Sequence, residues 1–399
     1  MLGRARRLSP FLLALLPFFI AHPSARADGE GDAPAEPKKE KPTKDDASIF
    51  SDWKFVKQRG KRYVMERAAY WEGKGTKGKD LIWLGLMWNR GEAHDKAIST
   101  LEQYLEWTPP TGVDSEATAI RGAYEKNREK AMAILLNSQV WSKKYPEAVK
   151  TAERYRKEFA NGGATSTVWD EEGQAHRFAG ETDKAIECFG KAAEAKFLAG
   201  LFDLVDLYLC DGKVDEAMAA FTKYPMEGAK KAQADHMKDF VKLIGTEAPS
   251  IEKAVSVGHS DAPKEWKGKA TAVFYWHLQL SNGEVRMLDW DAACREATNA
   301  RTVTIATYNK FNPDSSKVEA DMTEDKEIAW YKKVIDLFKP TFPASMVVPK
   351  DTIKDLGLKV EGQTVIIDAE GKFRYTRFTD TGNYDQAAIG IALKKFSGG

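Results

Sequence analysis

Three cysteines, Cys188, Cys210 and Cys294, carry the most reactive chemistry open to this 399-residue chain. A thiolate can attack a peroxide or disulfide, pair with another thiol, or ligate a soft metal ion, and each use demands its own setting. No two of the three form a Cys-x-x-Cys pair, so neither the redox nor the zinc version of that motif is present. An odd count leaves at least one thiol outside any intramolecular disulfide, and three are too few for a disulfide framework. Cys188 and Cys210 fall in adjacent helical segments and are the one conceivable pair, although helix geometry does not obviously align them. Cys294 falls well inside an expected helix, away from an N-terminus that would stabilise its thiolate. It therefore reads as a small buried apolar residue, with a reactive thiol as the alternative.

The other chemistry-bearing types are more dispersed. His94, His176, His236 and His259 make no His-x-x-x-His or Cys/His spacing, so spacing does not indicate a zinc site. His277 and Gln279 occupy a loop after an apolar run, where ligand contact and plain exposure are both open readings. No Gly-x-Ser-x-Gly, Walker loop or dinucleotide fingerprint occurs, and no cofactor is implied. Lys and Arg number 60 against 59 Asp and Glu, which gives no electrostatic case for nucleic acid or an anionic membrane.

The N-terminus has the grammar of a cleaved export signal over residues 1–27. Arg4, Arg6 and Arg7 precede an apolar stretch from Leu8 to Ile20, and Ala25-Arg26-Ala27 supplies the small-x-small cleavage pattern. The apolar stretch is too short to span a membrane, and no cysteine near the cleavage point offers a lipid anchor. The leader holds four arginines and no acid, so its removal turns a net charge of +1 into −3. The expected location is periplasmic or extracellular. Residues 28–48, rich in Pro, Glu, Lys and Asp without large apolar side chains, read as a disordered linker.

Residues 49–244 are patterned as helices throughout, and an internal repeat emerges when helix pairs are stacked. Leu81-x-x-Leu84-Gly85-x-x-Trp88 leads to Ala97, Leu101 and Tyr104; Trp169-x-x-x-Gly173-x-x-His176 leads to Ala185, Phe189 and Ala192. Leu201-x-x-Leu204-x-x-x-Tyr208 leads to Ala217 and Phe221, and a weaker copy centres on Leu135-Leu136 with Ala148, Ala152 and Tyr155. The small residue lets two helices approach closely, and the large ones fill the seam with the next pair. Trp71, Trp83, Trp88, Trp107, Trp141 and Trp169 are expected in those seams. An extra helix is expected over Ser115–Asn137. The offsets resemble the tetratricopeptide repeat, a resemblance that implies a concave surface for a protein or peptide partner.

Residues 245–265 mix Pro, Gly, Ser and charge and are read as a linker. Residues 266–399 then alternate strand and helix: strands at Ala270–Trp276, Arg301–Thr307 and before Pro349, helices at Leu288–Ala300, Thr323–Phe338 and Asp351–Leu356, a hairpin over Thr364–Phe378 and a last helix at Tyr384–Phe396. This order, with Tyr275-Trp276 closing the first strand and the turn Asp368-Ala369-Glu370-Gly371, resembles a thioredoxin-like domain of the alkyl hydroperoxide reductase/thiol-specific antioxidant family. That resemblance implies a Cys-x-x-Cys after the aromatic pair, where this chain has His277-Leu278-Gln279-Leu280-Ser281-Asn282-Gly283. It also implies a cis-proline facing the cysteines, where this chain has Gly362, or Gln363 in a shifted register. The expected molecule is thus multidomain: an all-α, tetratricopeptide-like solenoid followed by an α/β thioredoxin-like domain with a degenerate redox loop. The expected function is partner binding as a scaffold, with a thiol oxidoreductase or peroxidase acting through Cys294 as the alternative.

Overall fold

Five helix-to-helix turns of one construction organise the N-terminal half, four within helix pairs and one between pairs at Lys196. The computed structural model describes residues 53–258, 260, 262–276, 290–312, 317–318, 322–337, 343–358, 362–378 and 383–398. The helices in order are α1 (Trp53–Gly73, interrupted at Gly60), α2 (Leu81–Arg90), α3 (His94–Glu106), α4 (Ser115–Trp141), α5 (Tyr145–Glu158), α6 (Thr165–Phe178), α7 (Thr182–Glu194), α8 (Leu198–Cys210), α9 (Val214–Lys223) and α10 (Gly228–Val241). Each of α2, α4, α6 and α8 ends through one residue at positive φ: Glu92 (61°), Lys143 (59°), Gly180 (79°) and Gly212 (73°). The following N–H donates to the carbonyl five residues earlier, Ala93 to Trp88 at 2.9 Å and Lys144 to Gln139, Glu181 to His176 and Lys213 to Tyr208 at 2.8 Å. This closure satisfies carbonyls that the helix end would otherwise leave bare.

The same turns fix the seams. Ala97, Ala148, Ala185 and Ala217 each lie five residues beyond a turn residue, and all four are fully buried. The pairs approach so closely that a Cβ on Gly85 would fall 2.6 Å from Leu101, and one on Gly173 2.5 Å from Phe189. The extra helix expected over 115–137 continues to Trp141 as one 27-residue element, started by Asp114, whose carboxylate accepts from Ala117 N–H at 2.8 Å. Trp88 is buried, and Trp71, Trp83 and Trp107 pack against the same core.

The C-terminal half is a mixed six-stranded sheet with helices. Its elements are β1 (Val255–Ser256), β2 (Thr271–Tyr275), β3 (Arg301–Thr307), the short pair β4 (Phe311–Asn312) and β5 (Lys317–Val318), α11 (Glu324–Leu337), β6 (Ala344–Val348), α12 (Lys350–Asp355), β7 (Gln363–Ile367), β8 (Phe373–Phe378) and α13 (Asn383–Phe396). The strand order is β1-β6-β3-β2-β7-β8. β6, β3 and β2 run parallel, whereas β7, β8 and β1 add antiparallel. One expectation needs correction: the helix over 288–300 is confined, among described residues, to a short turn at 290–294, after which Ala297 N–H closes back on Cys294. β1 and the β4–β5 pair were not foreseen, being only two residues per strand. The segment 245–265 runs along the sheet: Gly245 N–H donates to Phe373 and Ala248 N–H to Gly371, both at 2.8 Å, and β1 joins the edge.

The sheet is apolar on both faces, which is why its strands read as unbroken hydrophobic runs. One face, with Val273, Val303, Ile305 and Val365, packs with Phe240, Ile251, Trp266 and Leu356. The opposite face, with Ala272, Phe274, Ile366 and Tyr375, is continuous with Trp290, Ile389 and the core of α7, α8 and α9. The period of two along each strand thus sends alternate residues into two cores, one of them shared with the helices.

Charge crosses the same junction. Arg377 of β8 reaches Asp203 at 2.6 Å and Asp206 at 3.2 Å on α8, and Arg177 of α6 joins both carboxylates. All four side chains are at most 7% exposed. Asp170 on α6 completes the group. Burial first, and then the neighbouring charge of Asp203, holds its carboxyl well above the usual range.

Two sets of outcomes follow from these arrangements. Lys143→Gly is expected to raise stability by about 1 kcal/mol and Gly180→Ala to lower it by about the same, because only glycine holds positive φ without strain; urea unfolding reads both. Arg377→Met is expected to cost about 3–5 kcal/mol by leaving Asp203 and Asp206 short of positive charge in a dry site. Asp170→Asn should behave in the opposite way. A carboxyl raised in the folded state contributes stability below its unfolded value, near ~3.9, and loses it as pH rises through the folded value. The amide of the variant does not titrate and escapes that loss, so Asp170→Asn should match the parent near pH ~4 and exceed it near pH ~7; urea titrations at both pH values decide the sign.

Candidate functional site

The first helices of successive pairs, α2, α4 and α6, stand side by side and line an open groove of about 440 Å³. That size lies in the range of ordinary ligand pockets. Its floor is held by a chain of side-chain hydrogen bonds. Asn89 of α2 donates to Asn137 Oδ1 at 2.8 Å and to Ser138 Oγ at 2.9 Å on α4, and Asn137 donates to Glu171 of α6 at 2.7 Å. Glu129 ties the start of α6 to the groove, accepting from Ala164 N–H at 2.8 Å and from Tyr155 O–H at 2.7 Å.

Two cations edge the groove, Lys126 and Lys130, both exposed. Lys130 lies 5.0 Å from the Trp83 ring centroid, and desolvation there, with repulsion from Arg90, pulls its ammonium below the ordinary lysine range. Glu129 and Glu171 line the same groove as Lys126 and Lys130, so its charge is mixed, and its amides suit an extended, hydrogen-bonding segment.

These groove residues escaped the sequence reading. Asn89 precedes Glu92 by three residues, Asn137 precedes Lys143 by six, and Glu171 precedes Gly180 by nine. The track therefore runs diagonally across the stacked helices, and alignment of the repeats at equal offsets passes over it. Polar residues at a steadily shifting offset on the first helices are the signal that would have found it.

The expected redox-loop residues divide. His277, Leu278, Gln279, Leu280, Ser281, Asn282 and Gly283 lie outside the described residues. Gly362 is described: it has φ 83°, is buried, and its N–H donates to the Tyr275 carbonyl at 2.8 Å, which sets the start of β7 against the end of β2. Trp276 beyond Tyr275 is buried edge-on against Tyr331, with ring centroids 5.3 Å apart.

All three thiols are unpaired and buried, so Cys188 and Cys210 do not form the conceivable disulfide. Cys294 is 1% exposed, and burial, followed by the charge of Asp291, drives its pKa far up from the ordinary thiol value. Burial likewise pushes Cys188 and Cys210 up to about 12. Such thiols are neutral and poorly nucleophilic at physiological pH. Among the described residues one group, Glu172, His176 and Cys188, offers metal-ligating atoms that all lie within 4.8 Å of one another. Among the described residues no helix is long and apolar enough to cross a membrane.

No family model matches the chain, and no curated protein matches it.

The thiol environments set an outcome. A chromogenic disulfide reagent at pH ~8 should label Cys294 roughly 100-fold more slowly in the native protein than in urea, and dilute peroxide should leave it reduced by mass spectrometry. Fast native labelling would bring a redox role back.

Proposed function

We propose that this chain is an exported partner-binding protein, built as a tetratricopeptide-like helical array joined to a thioredoxin-like α/β domain without thiol chemistry. The groove along α2, α4 and α6 is the observation that carries the reading: it is open, polar at its base and lined by charges of both signs. The common closure of four helix pairs supports the repeat assignment. A mixed sheet with the aromatic pair Tyr275-Trp276 at the end of a central strand, opposed by Gly362, supports the thioredoxin-like assignment. The leader-like residues 1–27 support export. The deep burial of Cys294 weighs against the thiol oxidoreductase or peroxidase reading.

The test uses peptides selected by display against the purified mature protein. Peptides selected by the groove should bind the double variant Lys126→Glu/Lys130→Glu at least about tenfold more weakly, with affinity falling as salt rises. Both lysines are exposed, so the variant should fold as the parent does. Selected peptides that bind the variant with unchanged affinity would move the binding face elsewhere.

A further inference from the structure

The strongest unassigned chemistry lies inside the α6–α7 pair. Glu172 and His176 are one helical turn apart on α6 and share a face. Cys188 approaches from α7, held there by the close contact of Gly173 with the adjacent Phe189. A carboxylate, an imidazole and a thiol thus converge from two rigid helices, with side chains almost wholly buried.

We propose that Glu172, His176 and Cys188 form a binding site for a borderline-soft divalent cation of the zinc type. The donor set selects the ion: sulfur and imidazole nitrogen disfavour magnesium and calcium, which take oxygen ligands, and favour zinc. Ligand atoms around tetrahedral zinc stand about 3.5 Å apart, so a set already within 4.8 Å closes by small rotamer shifts. Three protein ligands leave a fourth position for water or the second oxygen of Glu172.

One neighbour fits the site to a cation. Glu181, in the turn after α6, lies 2.6 Å from His176 Nδ1 and orients the ring as a carboxylate partner does behind a metal-bound imidazole. With Nδ1–H given to Glu181, Nε2 is the nitrogen that keeps its lone pair. Arg156 forms a bidentate pair with Glu172. That pairing uses one lone pair on each carboxylate oxygen, and each oxygen has a second. It also fixes the carboxylate in place. The Cys188 thiol must ionise to ligate, so binding at neutral pH releases one proton from sulfur, and affinity should rise with pH. Arg156 and Lys191 lie over the Trp169 ring, at 4.1 and 4.3 Å from its centroid.

Cobalt is the probe, because a thiolate bound to it gives a near-ultraviolet charge-transfer band. Full-length, tag-free mature protein stripped with a chelator is titrated with Co²⁺, then with Zn²⁺. The expected result is one equivalent bound with that band, displacement by Zn²⁺, and a Zn²⁺-dependent rise in Tm. Cys188→Ser should lose the band and the Tm shift although Cys210 and Cys294 remain, and Glu172→Gln should weaken binding by roughly 10- to 100-fold. X-ray absorption of the zinc-loaded parent needs no variant, and a sulfur shell at about 2.3 Å is expected. No charge-transfer band, no sulfur shell, or a band that survives in Cys188→Ser would overturn the proposal.

Discussion

The placement of both halves depends on a group of paired charges kept out of water. α8 is apolar along nearly its whole length, and Asp203 and Asp206 interrupt it three residues apart on one face. Removing carboxylates from water costs several kcal/mol each, and nothing apolar offsets that locally. Arg177 from the preceding first helix and Arg377 from the edge strand supply the compensation, and Asp170, its carboxyl raised by burial and by Asp203, lies beside them. Apolar contact alone is non-directional and would tolerate a slide of the sheet along α8. Paired guanidinium and carboxylate groups do not tolerate it, because a shifted register would leave a buried charge alone. The same charges that cost stability therefore give the junction a single geometry.

A fixed junction also explains the division of labour between the halves. A stack of helix pairs needs its last apolar face covered, since every pair buries only what the next one supplies. Here α8 and α9 share a core with Phe274, Ile366 and Tyr375 of the sheet, while α10 packs Phe240 against Phe373. Lys395 of α13 adds an ion pair with Asp211 at the end of α8, at 2.8 Å. The sheet thus closes the array at one end and leaves the groove of α2, α4 and α6 open at the other.

Local pattern made most of the fold legible. The seam alanines, the β3 run from Arg301 to Thr307 and the hairpin around Asp368 were all readable, because period and turn chemistry are properties of neighbouring residues. The hairpin turn shows why: Asp368 accepts from the N–H groups of Glu370 and Lys372, both at 2.9 Å, and Gly371 takes φ 85°. What was not readable depends on distance in sequence. The pairing of Arg377 with Asp203 joins residues 174 apart, and no spacing rule anticipates it. The convergence of Glu172 and His176 with Cys188 crosses a helix turn, so a search for close-spaced ligands passes over it. The diagonal groove track was hidden for a different reason, since it drifts by one turn from each helix to the next.

The thiols tie these points together. In a chain expected in an oxidising compartment, an exposed low-pKa cysteine would be open to oxidation, and this fold has buried all three. Cys294 lies under α13, where Gly390 allows so close an approach that a Cβ there would meet the Ala293 carbonyl at 2.5 Å. Cys210 ends α8 beside the buried ion pairs, and negative charge from Asp206 adds to its desolvation. Only Cys188 has a carboxylate and an imidazole beside it. Burial serves all three thiols alike as protection, so burial alone cannot explain the company Cys188 keeps. A ligand role does, because it gives the one thiol with suitable neighbours a reason to face them.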